Sequence, residues 1–148
     1  MRRFAAILFA TYPLTCFAFE LKLDCNVRSA YIFPSGRVEN NAGKALVEIS
    51  EYGNNRIILV SSAIEVVNEQ SVTTFPSKDR LISDFSDPNK WHIRNTISGG
   101  NAKSTTTIII DRNSGMLIID RKFEQNGATV ATQISGSCEK IDPTRKKF

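Results

Sequence analysis

The sequence is short of the side chains on which most enzyme and metal chemistry depends. Its 148 residues include one His, three Cys, one Trp and two Met. No Cys-x-x-Cys pair occurs, so a zinc site would lack ligands, and neither a metal nor another cofactor is expected. Calcium needs several oxygen ligands at loop spacing, and the Asp84–Asp87 stretch offers too few. The apolar segment near the N-terminus is interrupted by Pro13 and falls short of the roughly 20 residues of a spanning helix. Charge of one sign is scarce, with 19 Lys and Arg against 15 Asp and Glu. Nucleic-acid binding wants a clustered basic face, and the one basic cluster, Arg145-Lys146-Lys147, reads as a solvated chain end. No internal repeat, low-complexity tract or interdomain linker appears.

What is present begins with Arg2 and Arg3, followed by the uncharged apolar stretch Phe4 to Ala10. Tyr12 and Pro13 break that run, and Cys16-Phe17-Ala18 places small residues at the third and first positions before a cut. This is the layout of a secretory signal, with cleavage expected after Ala18. Lipid attachment at Cys16 is the other variant, although Thr15 and Pro13 suit it poorly. The expected organisation is a signal peptide at 1–18 and a single β domain at 19–148. Without the signal, 17 Lys and Arg remain against 15 Asp and Glu, a net charge of +2. Two of the three cysteines, Cys25 and Cys138, stay in the mature chain, one near each end. An even pair in an exported protein reads as a disulfide, and a loop of this length gains about 4–5 kcal/mol in the chain-entropy picture. The expected location is periplasmic or secreted, since both routes use the same signal.

From Phe19 onward the dominant period is two. Phe19, Leu21, Leu23 and Cys25 alternate with Glu20, Lys22 and Asp24, and Ala45, Val47 and Ile49 repeat the pattern. Tyr52-Gly53-Asn54-Asn55 turns the chain into the run Arg56 to Val60, and Ile64 to Val67 and Ser71 to Phe75 are two further β-prone stretches. Trp91, Ile93 and Ile97 share one strand face, opposite His92, Arg94 and Thr96. Thr105 to Ile110, Met116 to Phe123 and Thr129 to Ser135 are three strands joined by the Asp111–Gly115 turn and by Asn126-Gly127, a strong hairpin signal. The region 26–43 reads as largely loop with a short strand at Ala30 to Phe33, and 77–85 as either a helical turn or a strand. Short strands with frequent turn signals and no long amphipathic helix make the fold all-β, an antiparallel meander. A closed up-and-down barrel of about eight strands is expected, because closure removes exposed edges; a β-sandwich is the alternative.

Candidate chemistry is thin. His92 reads as an exposed strand residue, since no nucleophile or orienting acid accompanies it in the sequence. Ser137 and Lys140 match the Ser-x-x-Lys spacing, but Cys138 lies inside it at a strand end. Asp84, Asp87, Asp111 and Asp120 fit turn chemistry better than a pair of hydrolytic carboxyls. Ser98-Gly99-Gly100-Asn101 lies between strands and lacks the following helix that would bind phosphate. Arg112, held in the Asp111–Gly115 turn, is a binding candidate, together with Trp91 and the aromatic pair Tyr31 and Phe33 before Pro34.

Ile110-Asp111-Arg112-Asn113-Ser114-Gly115 and Gly136-Ser137-Cys138-Glu139, with Cys25 early and a terminal Phe148, resemble small exported bacterial proteins of unassigned function. In those an Ile-Asp-Arg-x-Thr-Gly-like turn precedes a Gly-x-Cys near the C-terminus; Ser114 stands here where Thr is more usual. The resemblance implies export and a β-rich fold and carries over no catalytic residue. The expected function is non-catalytic binding by a monomer, with a small apolar molecule held in the barrel. One rival is a grip on a protein partner, as in an enzyme inhibitor, through a rim loop anchored by Tyr31 or Phe33. The other is a hydrolase, which would need Asp84, Asp87, His92 and Arg112 to converge in one cleft. Neither nucleic acid nor, once the signal is cut, a membrane is expected as partner.

Overall fold

The computed structural model describes residues 19–52, 55–62, 70–73 and 79–141. The signal segment 1–18, the β-prone stretch 64–67 and the basic tail lie outside the described residues, as do Gly53 and Asn54. The described chain forms β1 (Phe19–Ile32), β2 (Val38–Tyr52), β3 (Asn55–Ser62), β4 (Gln70–Thr73), β5 (Arg80–Asp84), β6 (Lys90–Gly99), β7 (Ala102–Asp111), β8 (Met116–Gln125) and β9 (Ala128–Lys140). All pair antiparallel in one sheet, in the order β4-β3-β2-β1-β9-β8-β7-β6-β5. The first and last strands therefore meet in the middle. Two wings of nearest-neighbour hairpins flank them.

This is the cyclic order of an up-and-down barrel, and the sheet is curled, but it stays open between β4 and β5 as a half-barrel. The reason lies in strand directions. Counting outward from the antiparallel β1–β9 pair, β4 and β5 run the same way. A ladder between them would be parallel, and adjacent parallel strands need a crossover of roughly a dozen residues or more. Only 74–79 separate them. β4 and β5 thus act as two halves of one strand's place, one bonded to β3 and the other to β6, which leaves eight positions in the antiparallel order.

Alternation along each strand sorts side chains to the inner face or the outer face. The inner set is Leu23, Cys25, Val27, Ala45, Val47, Ile49, Ile58 and Val60 from one wing and its centre. The other wing supplies Trp91, Ile93, Ile108, Ile110, Leu117, Ile119 and Ile134, and all are buried. Register aligns Ile93, Ile108, Ile119 and Ile134 in one row across four strands. Burying each such side chain contributes about 1.5–3 kcal/mol. Cys25 and Cys138 face each other directly across the β1–β9 junction and are bridged, with Cα atoms 4.0 Å apart and 113 residues of chain between them. A register slip of one residue would turn the inner side chains outward, and this cross-link opposes it.

Turn chemistry fixes the hairpins. Asn126 and Gly127 both have positive φ (50° and 82°), as the tight two-residue turn needs. Gly115 has φ 69°, and a Cβ there would collide with the Cys138 carbonyl oxygen.

One local expectation is corrected and one open choice is decided. The stretch 26–43 is not mainly loop: β1 runs unbroken to Ile32, β2 begins at Val38, and only the turn between them is irregular. Cross-strand pairing of a long hairpin overrides the weak β propensity of Asn40, Asn41 and Gly43. Within 77–85 the strand alternative holds, as β5 over Arg80–Asp84. Arg80, Ile82 and Asp84 follow the inner face through their pairing with β6, while Leu81 is 70% exposed on the other side.

Candidate functional site

The two ends of the half-barrel are built differently. β6 starts and β1 ends at opposite ends, so Trp91 and Tyr31 mark the two; the Trp91 end is here the lower one. There Asp111 accepts hydrogen bonds at Oδ1 from the backbone N–H groups of Asn113 (2.9 Å) and Ser114 (2.7 Å). These bonds, Ser114 foremost, hold its carboxyl below its ordinary value. The turn they shape presents Arg112, whose backbone N–H donates to the Asn89 carbonyl at 2.7 Å. Its guanidinium lies over the Trp91 ring, 4.4 Å from the centroid, a cation–π contact.

The buried Trp91 in turn donates its indole Nε1–H to Glu51 at 2.9 Å, across the barrel on the opposite wing. The same carboxylate oxygen accepts from Arg56 Nε at 2.7 Å. Arg56 then reaches over the seam, donating from one Nη to Asp84 (2.9 Å) and Ser86 (2.8 Å). With its side chain only 19% exposed, Arg56 is screened less than a surface ion pair. Burial pushes the Glu51 carboxyl up. The bonds from Trp91 and Arg56 and the charges of Arg56 and Arg112 outweigh that, so it is held below its ordinary value. A chain of polar contacts from Arg112 to Asp84 thus ties β7, β6, β2, β3 and β5 together at the end where the ladder does not close.

The seam also gathers Asp84, Ser86 and His92, the residue types of an acyl-transfer triad. Their geometry is structural. Ser86 Oγ accepts from the His92 backbone N–H at 2.9 Å, and Asp84 Oδ1 accepts from the Ser86 backbone N–H at 2.9 Å. The His92 ring lies against Phe85, with centroids 5.1 Å apart. Partial burial, then the charges of Lys90 and Arg94, lower its pKa. Asp87 closes its own turn, accepting from the backbone N–H groups of Asn89 (2.8 Å) and Lys90 (3.1 Å). Among the described residues no group of three or more His, Cys, Asp or Glu is placed to hold a metal ion.

The other end is built around aromatic rings. Tyr31 and Phe33 pack edge to face with centroids 4.6 Å apart, and Arg37 lies 4.3 Å from the Phe33 ring centroid while pairing with Glu39 at 2.6 Å. Both rings are half-buried. Above the isoleucine row, register places a polar row on the inner face: Asn95, Thr106, Arg121, Thr132 and Tyr31. Beyond it Phe123 and Val130 face each other. Tyr31, Arg121, Phe123, Val130 and Thr132 line a cup of about 440 Å³, within the range of roughly 300–1,000 Å³ typical of small-molecule sites. Two larger hollows, each about 660 Å³, run together on the outer face over Arg28, Ala42 and Ser135. They are shallower troughs over short side chains.

The structure therefore splits the four binding candidates of the sequence into two pairs at opposite ends. Trp91 and Arg112 are joined below, and Tyr31 and Phe33 above. Sequence reasoning missed Glu51, Arg56, Arg121 and Phe123. The signal was available for the two arginines: Arg56 shares strand parity with Ile58 and Val60, and Arg121 with Leu117 and Ile119, which places a cation on an apolar face. Comparison with protein-family models, curated proteins and solved structures finds no match.

Proposed function

We propose that this chain is an exported, non-catalytic binding protein that holds a small, largely apolar ligand in the cup at the upper mouth of its half-barrel. The buried disulfide is consistent with export, which the N-terminal pattern of Arg2 to Ala18 independently suggests. The observation that carries the binding reading is the cup itself. Apolar Phe123 and Val130 and the Tyr31 ring surround polar Thr132 and Arg121, the composition of a ligand site rather than of a packed core. Below it the barrel interior is filled by the isoleucine row, so the mouth is the part of the inner face with room for a guest. The rim-loop grip on a protein partner is less favoured, because Tyr31 and Phe33 are half-buried against each other and Arg37 instead of projecting.

Native mass spectrometry of protein exported through its own signal tests this reading. A defined extra mass on a chain beginning at Phe19 is expected, and Val130→Trp, which fills the cup, should lose it. A bare wild-type chain, or an adduct that Val130→Trp leaves unchanged, would overturn it.

A further inference from the structure

Resting on that cup as the binding site, we infer that its ligand is a single-chain amphiphile with a carboxylate head, and that Arg121 is the residue that reads the head.

Donors and acceptors on the upper inner face are not balanced. Arg121 is flanked directly across the strands by Thr106 on β7 and Thr132 on β9, and along β8 by Ile119 and Phe123 at the same parity. None of these is acidic. Asp120 and Lys122 alternate to the outer face. Glu39 is the acid that ends the same row on β2, and Arg37 engages it. Among the described residues Arg121 has no hydrogen-bonded or ion-paired partner. Arg121 is exposed at the mouth, where water solvates it, and a guest entering the cup would meet an unpaired guanidinium between two neutral hydroxyls.

The apolar part of the guest is set by the mouth, where the Phe123 side chain, 37% exposed, faces Val130. One unpaired guanidinium in the cup matches a head with one negative charge and two acceptor oxygens, which a planar fork binds through paired hydrogen bonds. A carboxylate on one alkyl chain satisfies charge, acceptors and apolar surface together.

Titration with decanoate, 1-decanol and decyltrimethylammonium, followed by calorimetry and by backbone amide shifts, tests the assignment. Decanoate is expected to shift Tyr31, Phe123, Val130 and Thr132 and to bind at least about tenfold more tightly than decanol, the scale of a charge-assisted hydrogen bond at a half-exposed site. The cationic probe should bind most weakly. Arg121→Gln should bring decanoate down to the affinity of decanol while leaving decanol unchanged, and Arg121→Lys should keep part of the preference. Equal binding of decanoate and decanol at the cup, insensitive to Arg121→Gln, would overturn the ligand class and leave the cup standing as the site. Absence of cup shifts with all three probes would remove the site itself.

Discussion

The lower and upper ends of the half-barrel share one sheet and differ in how their polar groups are used. At the lower end the polar groups of the network are answered within the chain: Arg112 by the Trp91 ring, Trp91 and Arg56 by Glu51, Arg56 again by Asp84. At the upper end Arg121 lines a cavity with no partner among the described residues and is exposed to solvent. Satisfied polar networks rigidify, whereas an exposed, unpaired charge is left to water until something binds. The lower end is therefore a latch that substitutes side chains for the ladder that strand parity forbids. The upper end gives up that stabilisation and gains a mouth.

The largest effect is expected at the junction of the wings. Replacing both Cys25 and Cys138 by Ala should cost about 2–5 kcal/mol, read as a lowered urea midpoint under non-reducing conditions. A midpoint unchanged would mean that the paired strands hold the wings together without the cross-link.

The latch is tested next. Glu51→Gln weakens the shared acceptor of Trp91 and Arg56 and should cost about 1–3 kcal/mol. It should also reduce the acid limb. Because the folded carboxyl lies below its ordinary 4.5, the unfolded chain binds that proton more readily. The contribution is full above 4.5 and is lost as pH falls through the folded value. His92, lowered from its ordinary 6.5, adds a decline of the same sign that begins at higher pH. Melting temperature followed from pH 7 to 3 should fall in both windows for the wild type. Only the later fall should be reduced in Glu51→Gln.

The smallest effect is expected at the mouth. Arg121→Ala should change stability by no more than about 0.5 kcal/mol in the unliganded protein, or raise it slightly, since no partner is lost. A loss above 2 kcal/mol in the same denaturation measurement would show that Arg121 belongs to the scaffold, and the contrast between the ends would vanish.

Much of the fold was legible from local pattern. The Asp111–Gly115 and Asn126-Gly127 turns, the alternation in β1, β2 and β6 and the Cys25–Cys138 bridge all follow from neighbouring residue types or from cysteine arithmetic. The region 26–43 was misread because its strand character comes from pairing partners rather than from Asn40, Asn41 and Gly43 themselves. Of the two ends, Trp91 and Arg112 were legible as candidates but not as a contact. Arg121 was hidden because a cation in a β-prone run reads as solvent-facing until its parity is compared with Leu117 and Ile119.

By itself the sequence determined the all-β class, the hairpin turns and the pairing of the two cysteines, because turn φ preferences and side-chain alternation act over a few residues and two remaining cysteines allow one bridge. The tertiary structure alone decided that the barrel stays open, that Glu51 meets Trp91 across it and that Arg121 faces a cavity. Those outcomes depend on strand direction and register summed over the whole sheet, where neighbours in space are far apart along the chain.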